Sequence, residues 1–181
     1  MRSLSLKILL LFFLQLAMPV MASQTLADRM VDVRKVEGID VYYNLSNGLA
    51  LQGEYRLVRD SQGYTQATFD QGIAQGNWRV FDQRNQRLLS GQYQAGRQHG
   101  EWQYFSVDGS LEHIEHYDAG VASGVWQRFN SQQQVIETTQ FERGEKTNVS
   151  RFYDNGKIQS IEHYQNNLRH GLWQTFHANG E

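Results

Sequence analysis

The sequence predicts an all-β protein, an elongated single antiparallel sheet of stacked β-hairpin repeats of about 23–24 residues each. Three observations carry that expectation. A pattern of aromatic and glycine residues recurs at a fixed interval, and turn-forming pairs divide each interval in two. The composition agrees: 16 glycines against one proline, with 12% aromatic residues, describe many turns joined by ring-bearing strands.

The chain opens with Arg2 and Lys7, then the apolar run Ile8 to Leu16, interrupted by Gln15. Positive charge ahead of a short apolar run, followed by small residues at Val20 and Ala22, reads as a signal peptide over 1–22, cut after Ala22. The run is too short for a comfortable membrane span. The expected location is therefore the periplasm or the exterior. Residues 23–41 are expected to be a linker and an N-terminal capping segment, because Val31, Val33, Val36, Ile39 and Val41 suit a strand that covers the first repeat.

Residues 42–181 are expected to hold five to six repeat units, the last incomplete. Three clear copies run Phe69-x-x-Gly72-x-x-x-Gly76-x-Trp78-x-x-Phe81, then Tyr93, Gly96, Gly100, Trp102 and Phe105, then Tyr117, Gly120, Gly124, Trp126 and Phe129 at the same spacing. Two weaker copies follow: Phe141, Gly144, Asn148, Ser150 and Tyr153, then Tyr164, Asn167, Gly171, Trp173 and Phe176. Positions 76, 100, 124, 148 and 171 are separated by 24, 24, 24 and 23 residues. Asn replaces Gly at 148 and 167, and Asn tolerates a left-handed backbone best after Gly, so both are expected at positive φ. Asp108-Gly109, Asn155-Gly156 and Asn179-Gly180 favour tight hairpin turns whose central residues have φ > 0. One arm of each hairpin holds the Trp; the other begins near Leu88, Leu111, Val135 or Ile158. A lone hairpin is marginal in water, so neighbouring units must pair edge to edge. Trp102 and Phe105 are three apart, which demands either a bulge or a sheet with aromatic residues on both faces. The row Trp78, Trp102, Trp126 and Trp173 is read as the spine of the sheet.

This pattern resembles the MORN repeat in its short bacterial variant, over roughly residues 40 to 181. Proteins of this variant are often labelled antitoxins of the YwqK type. The resemblance implies a twisted ribbon of hairpins with a groove along one face, acting as a scaffold, a dimerisation module or a lipid-associated module, with no catalysis by the repeat itself. Ser150 departs from the pattern at a Trp position. The chain given stops just after Asn179-Gly180, so the last hairpin lacks its second arm. Its open edge is expected to permit self-association.

Without residues 1–22 the chain carries 15 Lys and Arg against 19 Asp and Glu, a net charge of −4. Nucleic acid is excluded as a partner, because phosphate binding needs clustered Lys and Arg. With no cysteine, thiol catalysis and zinc thiolate sites are excluded. The segment Glu112-His113-Ile114-Glu115-His116 invites a metal reading. Its histidines are three apart in a strand, however, and face opposite ways, whereas a helical metal motif places them at i and i+4. No nucleophile and base, carboxylate pair or phosphate loop has sequence support. The expected function is an exported non-catalytic scaffold, without cofactor or metal, that binds an envelope protein or peptide. Association with lipid or envelope glycan is the alternative, and an antitoxin-like neutralising role ranks below it.

Overall fold

A computed structural model describes residues 23–60, 62–152 and 155–179. The leader expected over 1–22 lies outside these residues, as do Tyr153 and Gly180. Among the described residues the chain has no α-helix, only a 3-10 turn at Asp28–Met30. Three strands precede the repeats: β1 (Gln24–Ala27), β2 (Val31–Val36) and β3 (Ile39–Asn44). The repeats contribute β4 (Gly53–Arg59), β5 (Gly63–Asp70), β6 (Ile73–Phe81), β7 (Arg87–Gln94), β8 (Arg97–Phe105) and β9 (Leu111–Asp118). They continue through β10 (Val121–Ala122), β11 (Gly124–Phe129), β12 (Val135–Glu142), β13 (Glu145–Phe152), β14 (Ile158–Gln165), β15 (Leu168–Arg169) and β16 (Gln174–Thr175).

All sixteen strands belong to one open sheet, as the repeat pattern predicts. From β4 to β9 and from β11 to β15 each strand pairs antiparallel with the next in sequence; β11 also pairs with β9, and the short β10 and β16 pair back onto β9 and β14. One pairing departs from the uniformly antiparallel expectation: β1 lies parallel to β4, Gln24 beside Tyr55 and Ala27 beside Val58. A parallel neighbour requires a long crossover, and the β2–β3 hairpin supplies it.

Two kinds of turn alternate along the ribbon. At one end, Gln71-Gly72, Ala95-Gly96, Ala119-Gly120, Arg143-Gly144 and Asn166-Asn167 all have positive φ, from 49° to 84°. Two consecutive left-handed residues make a two-residue hairpin turn whose twist matches the flanking strands. These turns also stack. The amides of Gly96, Gly120 and Gly144 donate to the carbonyls of Ala74, Gln98 and Ala122, each on the preceding unit, at 2.8–2.9 Å. At Asn167 the side chain serves instead, its Oδ1 accepting from the Lys146 amide at 2.8 Å.

At the other end Asp108-Gly109 and Asn155-Gly156 do not form tight two-residue turns, and Asn179-Gly180 reaches outside the described residues. Among the described residues of the loops after β6, β8, β11 and β13, one in each is left-handed: Asn85, Gly109, Gln133 and Gly156. In the first three of these loops, the left-handed residue donates to Asp82, Ser106 or Asn130, three residues back. That is a type I turn followed by one left-handed residue, which adds a bulge. The register accordingly shifts at Phe81, Phe105, Phe129 and Phe152.

A second bulge precedes each Trp. Gln75 and Trp78 face the adjacent residues Thr68 and Ala67, so Gly76 and Asn77 are extra. Gly76, Gly100, Gly124 and Gly171 have φ of 64° to 70°, the left-handed geometry that such a bulge requires. The unit at 148 differs. Lys146 and Asn148 face Phe141 and Gln140, so Thr147 alone is extra. Asn148 is therefore an ordinary strand residue, against the expectation of positive φ, whereas Asn167 has φ of 61° as expected. The missing residue moves everything after it: Val149 pairs with Thr139, as Trp78 pairs with Ala67, and Ser150 turns to the opposite face. Phe152 then holds the strand-end position assigned in sequence to Tyr153.

The packed core sits at the N-terminal end. Leu51, Tyr55, Leu57, Ala67, Phe69 and Ala74 are buried together, with Leu26, Val31, Tyr42, Trp78 and Tyr93 against them. The β2–β3 hairpin covers this end: Val41 pairs with Ile73, and the Tyr42 amide donates to the Gly72 carbonyl at 2.8 Å.

Candidate binding face

Alternation along the strands sorts the aromatic residues onto both faces, the second of the two arrangements open from sequence. On one face the Trp side chains meet the aromatic residue that precedes each two-residue turn. Successive contacts run Tyr42–Phe69 (4.9 Å between ring centroids), Phe69–Trp78 (6.0 Å), Trp78–Tyr93 (5.0 Å) and Tyr93–Trp102 (5.2 Å). They continue as Trp102–Tyr117 (6.5 Å), Tyr117–Trp126 (5.3 Å) and Trp126–Phe141 (4.4 Å). Most are tilted or edge-to-face, the arrangement that ring quadrupoles favour. On the other face Phe81 stacks on Tyr64 at 4.8 Å, and the Arg87 guanidinium lies 4.6 Å over Phe105. The register places Phe129 on that face too. Phe176 holds its place through its backbone amide, which donates to the Gln159 carbonyl.

The four Trp side chains sink to different depths. Trp102 lies over Gly91, where an added Cβ would meet the indole at 2.2 Å, and Trp102 is only 2% exposed. Trp126 has Glu115 in the corresponding place and stays half-buried. Trp78 and Trp173 are also half-buried, so the row is a buried spine at Trp102 and part of the surface elsewhere. Trp126 and Trp173 each donate their indole N–H to a histidine carbonyl, of His116 at 3.0 Å and His163 at 3.1 Å. The buried Trp102 N–H has no partner.

Beyond Trp102 the face becomes charged. Glu115 Oε2 accepts from the hydroxyls of both Tyr104 and Tyr117 at 2.8 Å. His113 stacks on Tyr104 at 4.1 Å with its Nε2 3.8 Å from Glu115 Oε1. Burial first, then the bond to Glu115, pushes both tyrosine pKa values well above the usual phenol range. Further along, Arg151 bridges Glu137 (3.0 Å) and Glu162, which also accepts from Tyr164 at 2.9 Å. Burial works against the charge on Arg151, but the two carboxylates outweigh it and raise its pKa.

Between these networks opens a groove of about 510 Å³, with Glu115, Trp126, Arg128, Glu137, Thr139, Phe141 and Lys146 in its wall. Of the residues singled out in the sequence, Trp126 and Phe141 line it from the repeat pattern, and Glu112, His113, Ile114 and Glu115 from the segment weighed as a metal site. Arg128, Glu137, Thr139 and Lys146 were missed because each occupies a slot that varies from unit to unit. Tyr117 and Phe141 do have a sequence signal: each precedes its turn at the repeat interval. His116 and His163, one before a tyrosine in each unit, face away from the groove, and His116 Nδ1 donates to the Val125 carbonyl at 2.9 Å. Among the described residues, no group of three or more His, Asp or Glu is placed to hold a metal ion. No helix there is long and apolar enough to cross a membrane, which says nothing of strands.

A family model described as a MORN repeat variant matches residues 148–166, the end of β13, the following loop and β14. No curated protein matches the chain. Together with the stacked hairpins, the match supports a MORN-repeat protein, built from a repeat that is generally non-catalytic and suggests a scaffold for protein or membrane binding.

Proposed function

We propose that this protein is an exported scaffold that binds an envelope protein or peptide along its aromatic face. One observation carries the reading. Half-buried rings and charges of both signs line a single groove from Trp126 to Lys146, a surface suited to a polypeptide with apolar and polar side chains. The leader-like residues 1–22 support export. A net charge of −4 without them makes an anionic lipid surface a poor target, because attraction to it needs Lys and Arg. An antitoxin role of the YwqK type ranks lower, since an exported protein does not meet a cytosolic toxin.

The test is crosslinking and capture from envelope extracts, using wild type and Arg128→Glu, a change on the exposed rim of the groove. A stoichiometric partner that Arg128→Glu loses supports the proposal. Capture of nothing by either protein, together with flotation on liposomes of any composition, transfers the function to lipid.

A further inference from the structure

In β13 the ladder loses a rung, because Val149 holds the place of a Trp on the aromatic face, and the same one-residue shift puts Ser150 on the opposite face. Its counterparts, the residues that follow Trp78, Trp102 and Trp126, are Arg79, Gln103 and Gln127, all long. A hollow of about 290 Å³ lies at this serine, across β11 to β14. The register sets its floor as two rows on one face: Thr138 beside Ser150, and Gln140 beside Asn148 and His163. Val125 ends the row of Gln140, and Ile161 ends the row of Ser150. None of the lining side chains is an acid, a lysine or an arginine. His163 Nδ1 lies 2.6 Å from Asn148 Oδ1, an acceptor, so the imidazole donates there and its Nε2 is left to accept. Among the described residues, no hydrogen bond engages the Thr138 and Ser150 hydroxyls or the Asn148 side-chain N–H groups.

We propose that this hollow binds a neutral sugar unit of a glycan. The site is separate from the groove of the proposed function, on the other face, and no residue lines both. A pyranose carries hydroxyls around its rim and C–H groups on its faces. Its hydroxyls donate to His163 Nε2 and accept from Asn148 Nδ2, Thr138 and Ser150 exchange in either direction, and its C–H groups rest on Val125 and Ile161. An ion of either sign finds no opposite charge in this wall, and an apolar ligand leaves the polar groups unpaired, at a cost in affinity. An extended peptide presents its hydrogen-bonding groups in a line and pairs at a sheet edge, whereas the groups here form two rows on a sheet face.

Maltotriose and triacetylchitotriose serve as sugar probes and N-acetyl-triglycine amide as the peptide contrast, titrated into the isotopically labelled chain and read by NMR shifts of backbone amides. Saturable shifts at Thr138, Gln140, Asn148 and Ser150 with one or both sugars, at a Kd of about 1 mM or below, and none with the peptide are expected. Ser150→Gln restores the long side chain that Gln103 and Gln127 supply in other units, and should weaken the sugar roughly tenfold or more. Thr138→Val removes one hydroxyl at nearly the same shape and should weaken it about two- to tenfold, a second check should Ser150→Gln fail to fold. No saturation by either sugar well above that concentration overturns the inference, as does equal binding by a folded Ser150→Gln. Peptide binding at the same amides, as tight as that of the sugars, overturns it in favour of a polypeptide ligand.

Discussion

Two glycines on the aromatic face serve opposite purposes, and substitution separates them. Gly91 leaves room: a methyl group there drives into the Trp102 indole, so Gly91→Ala should cost about 1–3 kcal/mol by urea denaturation. In a Trp102→Ala background the same change should cost almost nothing, because the obstructing ring is gone. Gly100 has open space around it but sits at φ of 68°, so Gly100→Ala should cost about 1–2 kcal/mol from backbone strain alone, and Gly100→Asn less. The tyrosines supply a pH prediction. Tyr42, raised to about 12, and Tyr93, Tyr104, Tyr117 and Tyr164, all raised chiefly by burial, should titrate later than a free phenol in absorbance at alkaline pH. Raised values favour the protonated form in the folded chain. The stabilisation is therefore whole below the unfolded value of 10.0 and lost as pH climbs from there through the folded values.

At the scale of the element, the hairpin is defined by its two ends, and they differ in how strictly they constrain the sequence. The two-residue turns need consecutive left-handed residues and stack on one another, which holds glycine or asparagine at 72, 96, 120, 144 and 167. The wider loops need one left-handed residue and accept Asn85 and Gln133 as well as Gly109. Strand positions and pairing order were legible because hydrophobic period and turn spacing repeat. The bulge was not: its extra residues change no period until one is lost. At Asn148-Val149-Ser150 nothing in residue type says which side chain faces the rings. Aligning the motifs without a gap therefore put Ser150 at the Trp position and Tyr153 at the strand end, whereas the backbone puts Val149 and Phe152 there. The groove was illegible for a related reason, since Glu115, Arg128 and Glu137 come from different slots of different units. The lost rung also weakens coupling between neighbours. Amide hydrogen exchange should show strong protection in β5 to β8 and progressively less in β13 to β16, where the ladder is interrupted and the last strands are two residues long.

The whole molecule combines a closed end with an open ribbon. At the N-terminal end β1, β2 and β3 fold back on the first repeats and create a conventional buried core. Beyond Trp102 the sheet has no second layer among the described residues, and rings, carboxylate bridges and stacked turns hold it together. A chain organised this way presents a long face at constant backbone geometry, on which successive units differ mainly in the side chain opposite each Trp. Trp102 over Gly91 is buried and Trp126 beside Glu115 is half-buried, so the same repeat position serves as core in one unit and as surface in another. The central claim is that the ring ladder, with Trp102 as its buried rung, carries the fold of the repeats. Equilibrium unfolding of Trp102→Ala tests it most directly: a loss of about 3–5 kcal/mol is predicted, and a loss of about 1 kcal/mol or less, the effect of an ordinary surface substitution, would contradict it.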